Sequence, residues 1–250
     1  MNIVDPNFSA DENIKSLLSR YEKATGIKDQ FKDLFEECYE VAFPQRRGFF
    51  SETIGERRDE KIFDETCVVG VQEFASRLQQ GLVPNFARWA DFQAGSETPK
   101  EEKEAINNEL DEVTEYVFEV LQNSNFSQEI HESFMDLAVG TGILGVEEGN
   151  ALNPVNFSAK TKLLEIVCKD YSKRNEEAFY QTTIHVQSKS LIEHKAFTGV
   201  GSNPFICFRW SKCAGEIYGR GPLMNALSAI KTSNLTIQLI LENAQMAISG

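Results

Sequence analysis

Apolar residues recur at helical spacing through the first half of the chain. From Phe31 to Ala42 they fall at i, i+3, i+4 and i+7, which predicts an amphipathic helix that Pro44 ends. A second helix is predicted from near Asp64 to just before Pro84 on the same spacing. The segment between them is charged and contains glycines, so we expect a loop there.

Two more helices follow with boundary signals of their own. Thr98 as the N-cap, Pro99 at the first helical position and Glu101 in a capping box predict the start of the third helix. The fourth helix follows the polar break Asn123–Asn125 and ends at Gly140, where glycine permits a left-handed exit. The predicted inward positions are Ile106, Leu110, Val113, Val117 and Val120 or Leu121 on the third helix, and Ile130, Phe134, Leu137 and Ala138 on the fourth.

The pattern changes after Gly142. Short runs rich in β-branched and aromatic residues alternate with polar turns at roughly ten-residue spacing, which predicts an antiparallel sheet. The runs are ILGVEEG, PVNFSA, LLEIVCKD, AFYQTTIHV, SLIEHKAF and PFICFRW. Helices first, strands second and one long helix at the end predict an α+β fold.

The last predicted helix starts at Pro222 and carries only two charged residues, Lys231 and Glu242, before Gly250. Its apolar positions alternate spacings of three and four, the heptad pattern of a helix that packs against another helix. At 1.5 Å per residue it would be about 40 Å long. Two alternatives stay open, burial in the core of its own chain and contact with other chains. The heptad positions are Leu227, Ile230, Asn234, Ile237, Leu241, Ala244 and Ile248.

Composition restricts the possible functions. The 250 residues include 25 Lys and Arg against 38 Asp and Glu, a formal net charge of −13, which argues against nucleic-acid binding over the general surface. Five cysteines without CxxC spacing predict reduced, mostly buried thiols. We expect no membrane association, because no apolar run reaches the length of a membrane-spanning helix.

No catalytic or metal-binding constellation is evident, and no cofactor is predicted. The three histidines have no partner at metal-ligand spacing, and the common phosphate-loop, nucleophile-elbow and zinc-protease motifs are missing. Four arginines beside two phenylalanines in the first loop could contact nucleic acid, but the interleaved acids favour a solvated loop. These arginines are Arg46, Arg47, Arg57 and Arg58.

One stretch could hold an anion. In Gly219–Pro222 the glycines expose backbone N–H groups, Arg220 supplies charge and a helix begins. Pro222, however, lacks an N–H donor at the helix start. The sequence favours a turn that supports the helix, and a nucleotide- or phosphate-binding enzyme is the alternative.

The segment NPFICFRWSKCAGEIYGRGPLMNALSAIKTSN (Asn203–Asn234) resembles the one that marks head-to-tail connector, or portal, proteins of short-tailed bacteriophages. The shared features are a Pro-Phe strand, an Arg-Trp pair, Gly-Glu-x-Tyr-Gly-Arg-Gly-Pro and a Lys-x-x-Asn helix. Ile62–Gln93 and Val139–Gly149 also resemble family stretches. The structural motif residues are Arg209, Trp210, Gly215, Glu216, Tyr218, Gly219, Arg220, Gly221, Pro222 and Asn234.

The resemblance implies a structural protein, without catalytic residues, that forms a ring, usually of twelve copies, at one vertex of the capsid. Residues 1–215 would be the wing, with helices at about 12–140 and strands at about 143–210, and residues 216–250 would be the joint and the first stem helix. Residues 157–201 match the family least. The clip, crown and remaining stem of family members would lie outside this sequence.

The resemblance also implies partners and a location. The partners are the major capsid and scaffolding proteins, the large terminase subunit, tail adaptor proteins and double-stranded DNA, which passes through the channel without sequence specificity. Assembly would take place in the host cytoplasm, and the assembled ring would belong to the virion.

Roles for single residues follow from the same resemblance. Gly219 and Gly221 would allow the bend between wing and stem, and Tyr218 and Arg220 would brace it. Arg220→Ala is therefore expected to block ring assembly. Asn234 is a candidate for setting the register between neighbouring stem helices.

Overall fold

The structure, a computed structural model, describes residues 10–44, 62–149, 155–158, 164–169, 177–185 and 190–249. Within these residues the chain forms helices first, then strands, then a long final helix, which confirms the predicted α+β fold. The helices are α1 (Ala10–Asp29), α2 (Lys32–Ala42), α3 (Thr66–Leu82), α4 (Lys100–Asn123), α5 (Phe126–Val139) and α6 (Pro222–Ser249). The strands are β1 (Thr141–Glu148), β2 (Val155–Ser158), β3 (Leu164–Lys169), β4 (Ala178–His185), β5 (Ser190–Thr198) and β6 (Phe205–Arg209).

Each predicted strand run contains one strand, but the strands form two sheets where the pattern predicted one. The first has the order β2-β1-β6 and the second the order β3-β4-β5. β1 pairs antiparallel with β2, and β4 pairs antiparallel with both of its neighbours. A register shift between Thr183 and Ile184 marks an irregularity in β4. The β3-β4-β5 antiparallel sheet lies within residues 157–201.

The chain divides into two compact units. The first comprises Met1–Phe35 and Lys160–Ile206, and in it Leu17 of α1 packs with Cys168 of β3 and Ile184 of β4. The second comprises Glu36–Ala159 and Cys207–Gly250 and contains the site described below.

Helix α5 is the centre of the second unit. The four inward positions predicted from the sequence are buried, and Ser133 is fully buried beside them. The Ser133 hydroxyl donates a hydrogen bond to the carbonyl oxygen of Ile143, which ties α5 to β1. The core cluster around α5 consists of Ala75, Ile130, Phe134, Leu137, Leu144 and Phe157. Because α3, β1 and β2 all contribute to this cluster, α5 has a fixed position in the unit.

The start of α4 differs from the prediction. Pro99 itself is the N-cap, with φ −55° and ψ 137°, and no side chain caps the helix. The carbonyl oxygen of Pro99 accepts the N–H groups of Glu102 and Lys103, so the first turn begins one residue later than predicted. The predicted capping box is therefore wrong, because Thr98 lies one residue too early to act as the N-cap.

One of the predicted inward positions of α4 is wrong, while Ile106, Leu110, Val117 and Leu121 are partly buried as predicted. Val113 is 49% exposed, whereas Thr114 is buried. The Thr114 hydroxyl donates to the carbonyl oxygen of Leu110 and accepts the N–H of Phe92. A polar residue is buried here because the extended segment that follows α3 lies along α4 and presents its backbone N–H groups.

Asn125 joins α5 to β2. Its Nδ2 donates to the carbonyl oxygen of Phe157 at 2.7 Å, and its Oδ1 accepts the N–H of Phe157 at 2.8 Å. The side chain thus pairs with the backbone of β2 in the way that a neighbouring strand would.

We expect Asn125→Ala to lower the free energy of unfolding by about 2 kcal/mol, because it leaves two partly buried backbone groups without partners. Urea denaturation measures the change. Gln122→Ala, on the exposed surface of α4, is the control and should change the free energy by less than about 0.5 kcal/mol. An equal effect of the two substitutions would contradict this role of Asn125.

Candidate functional site

Residues 209–222, here called the corner, connect β6 to α6 and cross the junction between α5 and β1. The N–H of Gly219 donates to the hydroxyl of Thr141 at 2.8 Å. The N–H of Gly221 donates to the carbonyl oxygen of Val139, also at 2.8 Å. The corner is therefore attached by its backbone to the end of α5 and the beginning of β1.

The glycines at this crossing allow two backbones to touch. A Cβ atom on Gly219 would lie 2.1 Å from the carbonyl oxygen of Gly140, and one on Gly221 would lie 2.1 Å from that of Ala138. Gly140 has φ +153°, and a Cβ there would lie 2.0 Å from the oxygen of Gly219. Gly219 and Gly221 do not have positive φ. Their requirement for glycine comes from close approach and not from a left-handed bend.

Other bonds close the corner on itself. The N–H of Arg220 donates to the carbonyl oxygen of Ser211 at 2.9 Å, and the Ser211 hydroxyl donates back to the carbonyl oxygen of Arg220. Arg209 Nη1 donates to the carbonyl oxygen of Ile217 at 2.9 Å. Gly215 has φ +84°, a conformation that favours glycine. The corner thus forms a closed turn around this residue.

The side chain of Arg220 binds Glu216 within the same turn. Nε donates to Oε2 at 2.9 Å and Nη2 donates to Oε1 at 2.6 Å, a bidentate pair. These hydrogen bonds hold the pKa of Glu216 below its usual range. The pair is partly exposed to solvent, so it orders the turn and adds little to global stability.

Two aromatic residues complete the corner. The Trp210 ring packs edge-on against Phe74 of α3, with centroids 5.2 Å apart. The backbone N–H of Trp210 donates to the carbonyl oxygen of Gly140. Tyr218 is half-buried, and its burial raises the pKa of its hydroxyl. The corner is therefore fixed to α3 as well as to α5.

The turn Gly219–Pro222 offers no anion site. The N–H groups of Gly219, Arg220 and Gly221 all donate within the chain, and Pro222 has none. The guanidinium of Arg220 is bound to the carboxylate of Glu216. An anion would have to break these bonds, so the geometry argues against the nucleotide- or phosphate-binding alternative at this turn.

Helix α6 starts at Pro222, as predicted. Leu223 and Leu227 near its start are buried, and α6 packs against α5. Further along, the Oδ1 atom of Asn234 accepts the N–H groups of Phe63 and Asp64, at 2.7 Å and 3.0 Å. The register-setting role of Asn234 stays a prediction.

Sequence reasoning did not count the other half of this site as functional. Gly140 and Thr141 lie in the Gly-Thr-Gly stretch that ends α5, and the sequence predicts this stretch only as a helix stop and as a family motif. Its second use, as the surface against which the corner packs, depends on a contact with residues about eighty positions away. The repeated glycines were the available signal.

The remaining chemistry-bearing residues form no second site in the part of the chain that the structure describes. Burial raises the pKa of Cys38 and of Cys67 to about 11, so both thiols are protonated at neutral pH. Cys207 and Cys213 are exposed, so the prediction of mostly buried thiols holds only in part. Among the described residues, no group of three His, Cys, Asp or Glu side chains could hold a metal ion. The predicted arginine cluster of the first loop lies outside these residues.

No described helix combines the length and the apolarity that a membrane span requires.

We expect Gly221→Ala to lower the free energy of unfolding by more than about 2 kcal/mol, because its Cβ would force two backbones apart. Thermal and urea unfolding measure the effect. Gly81→Ala in α3 is the control, since nothing lies within 4 Å of its Cβ position. It should be neutral or stabilise by up to about 1 kcal/mol. If Gly221→Ala matched this control, the close contact would not exist in solution.

The Arg220–Glu216 pair predicts a pH effect. A lowered pKa means that the pair favours the folded turn above the ordinary pKa of a glutamate and is lost as the pH falls through the lowered value. Arg220→Ala should raise the pKa of Glu216 toward its ordinary value, as measured by NMR titration of the carboxyl carbon. Arg77→Ala, which removes a separate exposed ion pair with Glu73, should leave it unchanged. An unshifted Glu216 in Arg220→Ala would refute the pairing.

Comparison with known proteins agrees with the resemblance inferred from the motifs. The family model for bacteriophage head to tail connecting protein matches residues 14–169 and 157–250. No curated protein matches the chain. The second match includes the whole corner and all of α6, and the first includes the Gly-Thr-Gly stretch that supports the corner. This chain belongs to the bacteriophage head to tail connecting protein family.

Proposed function

We propose that this chain is the subunit of a portal ring in which α6 is the first stem helix and contacts a neighbouring copy on each side. The family consists of structural connectors between the phage head and tail, so its members belong to the virion and need no catalytic residues. In this proposal residues 1–215 form the wing and residues 216–250 form the joint and the stem helix.

The observation that carries the proposal is a pair of exposed apolar faces on α6 beyond Asn234. At about 100° per residue, Leu235, Leu239 and Met246 share one face, and each is about half exposed or more. Leu241 and Ile248, 53% and 86% exposed, share a face on nearly the opposite side, and Ile240, 60% exposed, lies between the two. Among the described residues, helix α6 therefore leaves apolar surface open to solvent on two opposite sides.

Two different faces on one element suit a closed ring. A two-fold dimer needs one self-complementary face, whereas a ring of identical subunits joins one face of each copy to another face of the next. Burial of a leucine or methionine side chain contributes about 1.5–3 kcal/mol. Several such side chains per interface, repeated around a ring, would stabilise the assembly.

The corner suits the role of a joint between wing and stem. Its backbone bonds to α5 and β1 fix the place where α6 begins, and the Arg220–Glu216 pair orders the turn before it. The expectation that Arg220→Ala blocks ring assembly rests on this arrangement. Tyr218 and Trp210 support the joint by packing.

The finer parts of the proposal follow from the family. They are a ring of about twelve copies, a channel for DNA packaging and ejection, and docking of the terminase motor and later of tail adaptors. Contacts with capsid and scaffolding proteins, and assembly in the host cytoplasm, belong to the same proposal. The net charge of −13 favours a channel that lets DNA slide, because like charges repel.

The two-face arrangement is tested in the full-length protein with Leu239→Glu on one face and Leu241→Glu on the other. Each variant alone should fail to form rings, because each retains only one working face. A mixture of the two should give heterodimers and no rings, since the intact face of one fits the intact face of the other. Native mass spectrometry distinguishes these species.

Asn243→Glu is the matched control, because it adds the same charge to an exposed position between the two faces. It should form rings of the wild-type size. Normal rings from Leu239→Glu or Leu241→Glu would contradict the proposed use of α6.

A further inference from the structure

We propose that Asn234 is a positioning residue that fixes the direction of α6 from within its own chain. It does so by binding the backbone in front of α3. The effect of Asn234 on assembly rests on the proposed ring. The contact itself lies within one chain and does not depend on that proposal. This role differs from a polar contact between neighbouring copies.

The contact occupies the acceptor oxygen of the carboxamide. Oδ1 accepts the N–H of Phe63 at 2.7 Å and the N–H of Asp64 at 3.0 Å. A carboxamide oxygen has two lone pairs, so both acceptor positions are filled within the chain. Phe63 and Asp64 precede α3, where backbone N–H groups have no helical carbonyl partner.

The neighbouring residue strengthens the same contact. The Ser233 hydroxyl donates to Asp64 Oδ2 at 2.5 Å, and Asp64 Oδ1 accepts the N–H of Thr66 at 3.0 Å. These bonds, the one from Ser233 above all, hold the pKa of Asp64 below its usual range. Asp64 is therefore charged at neutral pH and links the first residue of α3 to α6.

A second direction of support comes from α2. Lys231 Nζ lies 2.9 Å from Glu37 Oε2. At about 100° per residue, Lys231 and Ser233 point about 160° apart, with Asn234 between them. We call three residues of α6 the clasp: Lys231, Ser233 and Asn234. Their contacts hold the helix on one side through α2 and on the other through the start of α3.

The clasp and the corner together define the axis of α6. Asn234 lies twelve residues after Pro222, or about 18 Å along the helix. Two attachment points at this distance set the direction of the remaining helix, which carries the two exposed apolar faces. A change at the clasp would tilt those faces relative to the corner.

The choice of Asn at this position agrees with the proposal. Asn has a lower helix propensity than Leu and interrupts the apolar heptad positions. Leucine would serve a purely apolar seam better. The two backbone bonds account for the polar residue without any partner chain.

Hydrogen exchange tests the contact, with Asn234→Leu as the variant and Asn243→Leu as the control with the same substitution at an exposed position of the same helix. In Asn234→Leu the amides of Phe63 and Asp64 should exchange about tenfold faster or more, in dissociated subunits as well as in assemblies. In Asn243→Leu they should exchange at the wild-type rate. Unchanged exchange in Asn234→Leu would overturn the proposal.

Ring size tests the positioning role. Native mass spectrometry of the full-length Asn234→Leu protein should show either a broader range of ring sizes than wild type or no rings at all. Asn125→Ala, which is destabilised far from α6 in the sequence, should keep the wild-type range, so lost stability alone does not explain the result. Faster exchange with an unchanged ring size would overturn the positioning role. If wild type forms no rings, the proposed function fails, and the exchange comparison still decides the contact.

Discussion

The structure of the second unit depends on a contact between two stretches of backbone. Gly219 and Gly221 lie against the end of α5 at a distance that admits no Cβ atom, and their N–H groups bond to Thr141 and Val139. Helix α5 is the centre of the hydrophobic core, so this contact joins the core directly to the start of α6. A backbone contact has no rotatable side chain, which makes it a stiff connection. Any residue larger than glycine would remove it.

This stiffness suits the proposed role of α6 in contacts with neighbouring copies. Helix α6 receives its position from the corner and its direction from the clasp, and beyond Asn234 it exposes apolar side chains on two sides. The side chains that could have carried chemistry, Arg220 and Glu216, are bound to each other. The residues that the family motif retains thus fit a role in holding a helix for contact with other chains.

Local patterns in the sequence predicted most of the fold, and long-range contacts decided the rest. The helical period and the prolines at helix boundaries predict α2, α3 and α6, and the short β-branched runs predict the six strands that the structure describes. The division into two sheets, the N-cap at Pro99 and the burial of Thr114 depend on neighbours that no local pattern specifies. Gly219 and Gly221 are predicted to allow a bend, and their close approach to α5 is a further requirement for glycine that the sequence pattern does not specify. The partner of Asn234 lies 171 positions away at Phe63, so its bond could not be inferred from the heptad pattern.

In the proposed ring, two faces of α6 bind neighbouring copies and close the assembly. Native mass spectrometry of the wild-type, full-length protein measures whether such a ring forms. We expect one dominant closed assembly with the mass of about twelve subunits and no series of open oligomers. A protein that remains monomeric at concentrations well above those found in an infected cell, or one that stops at dimers, would contradict it.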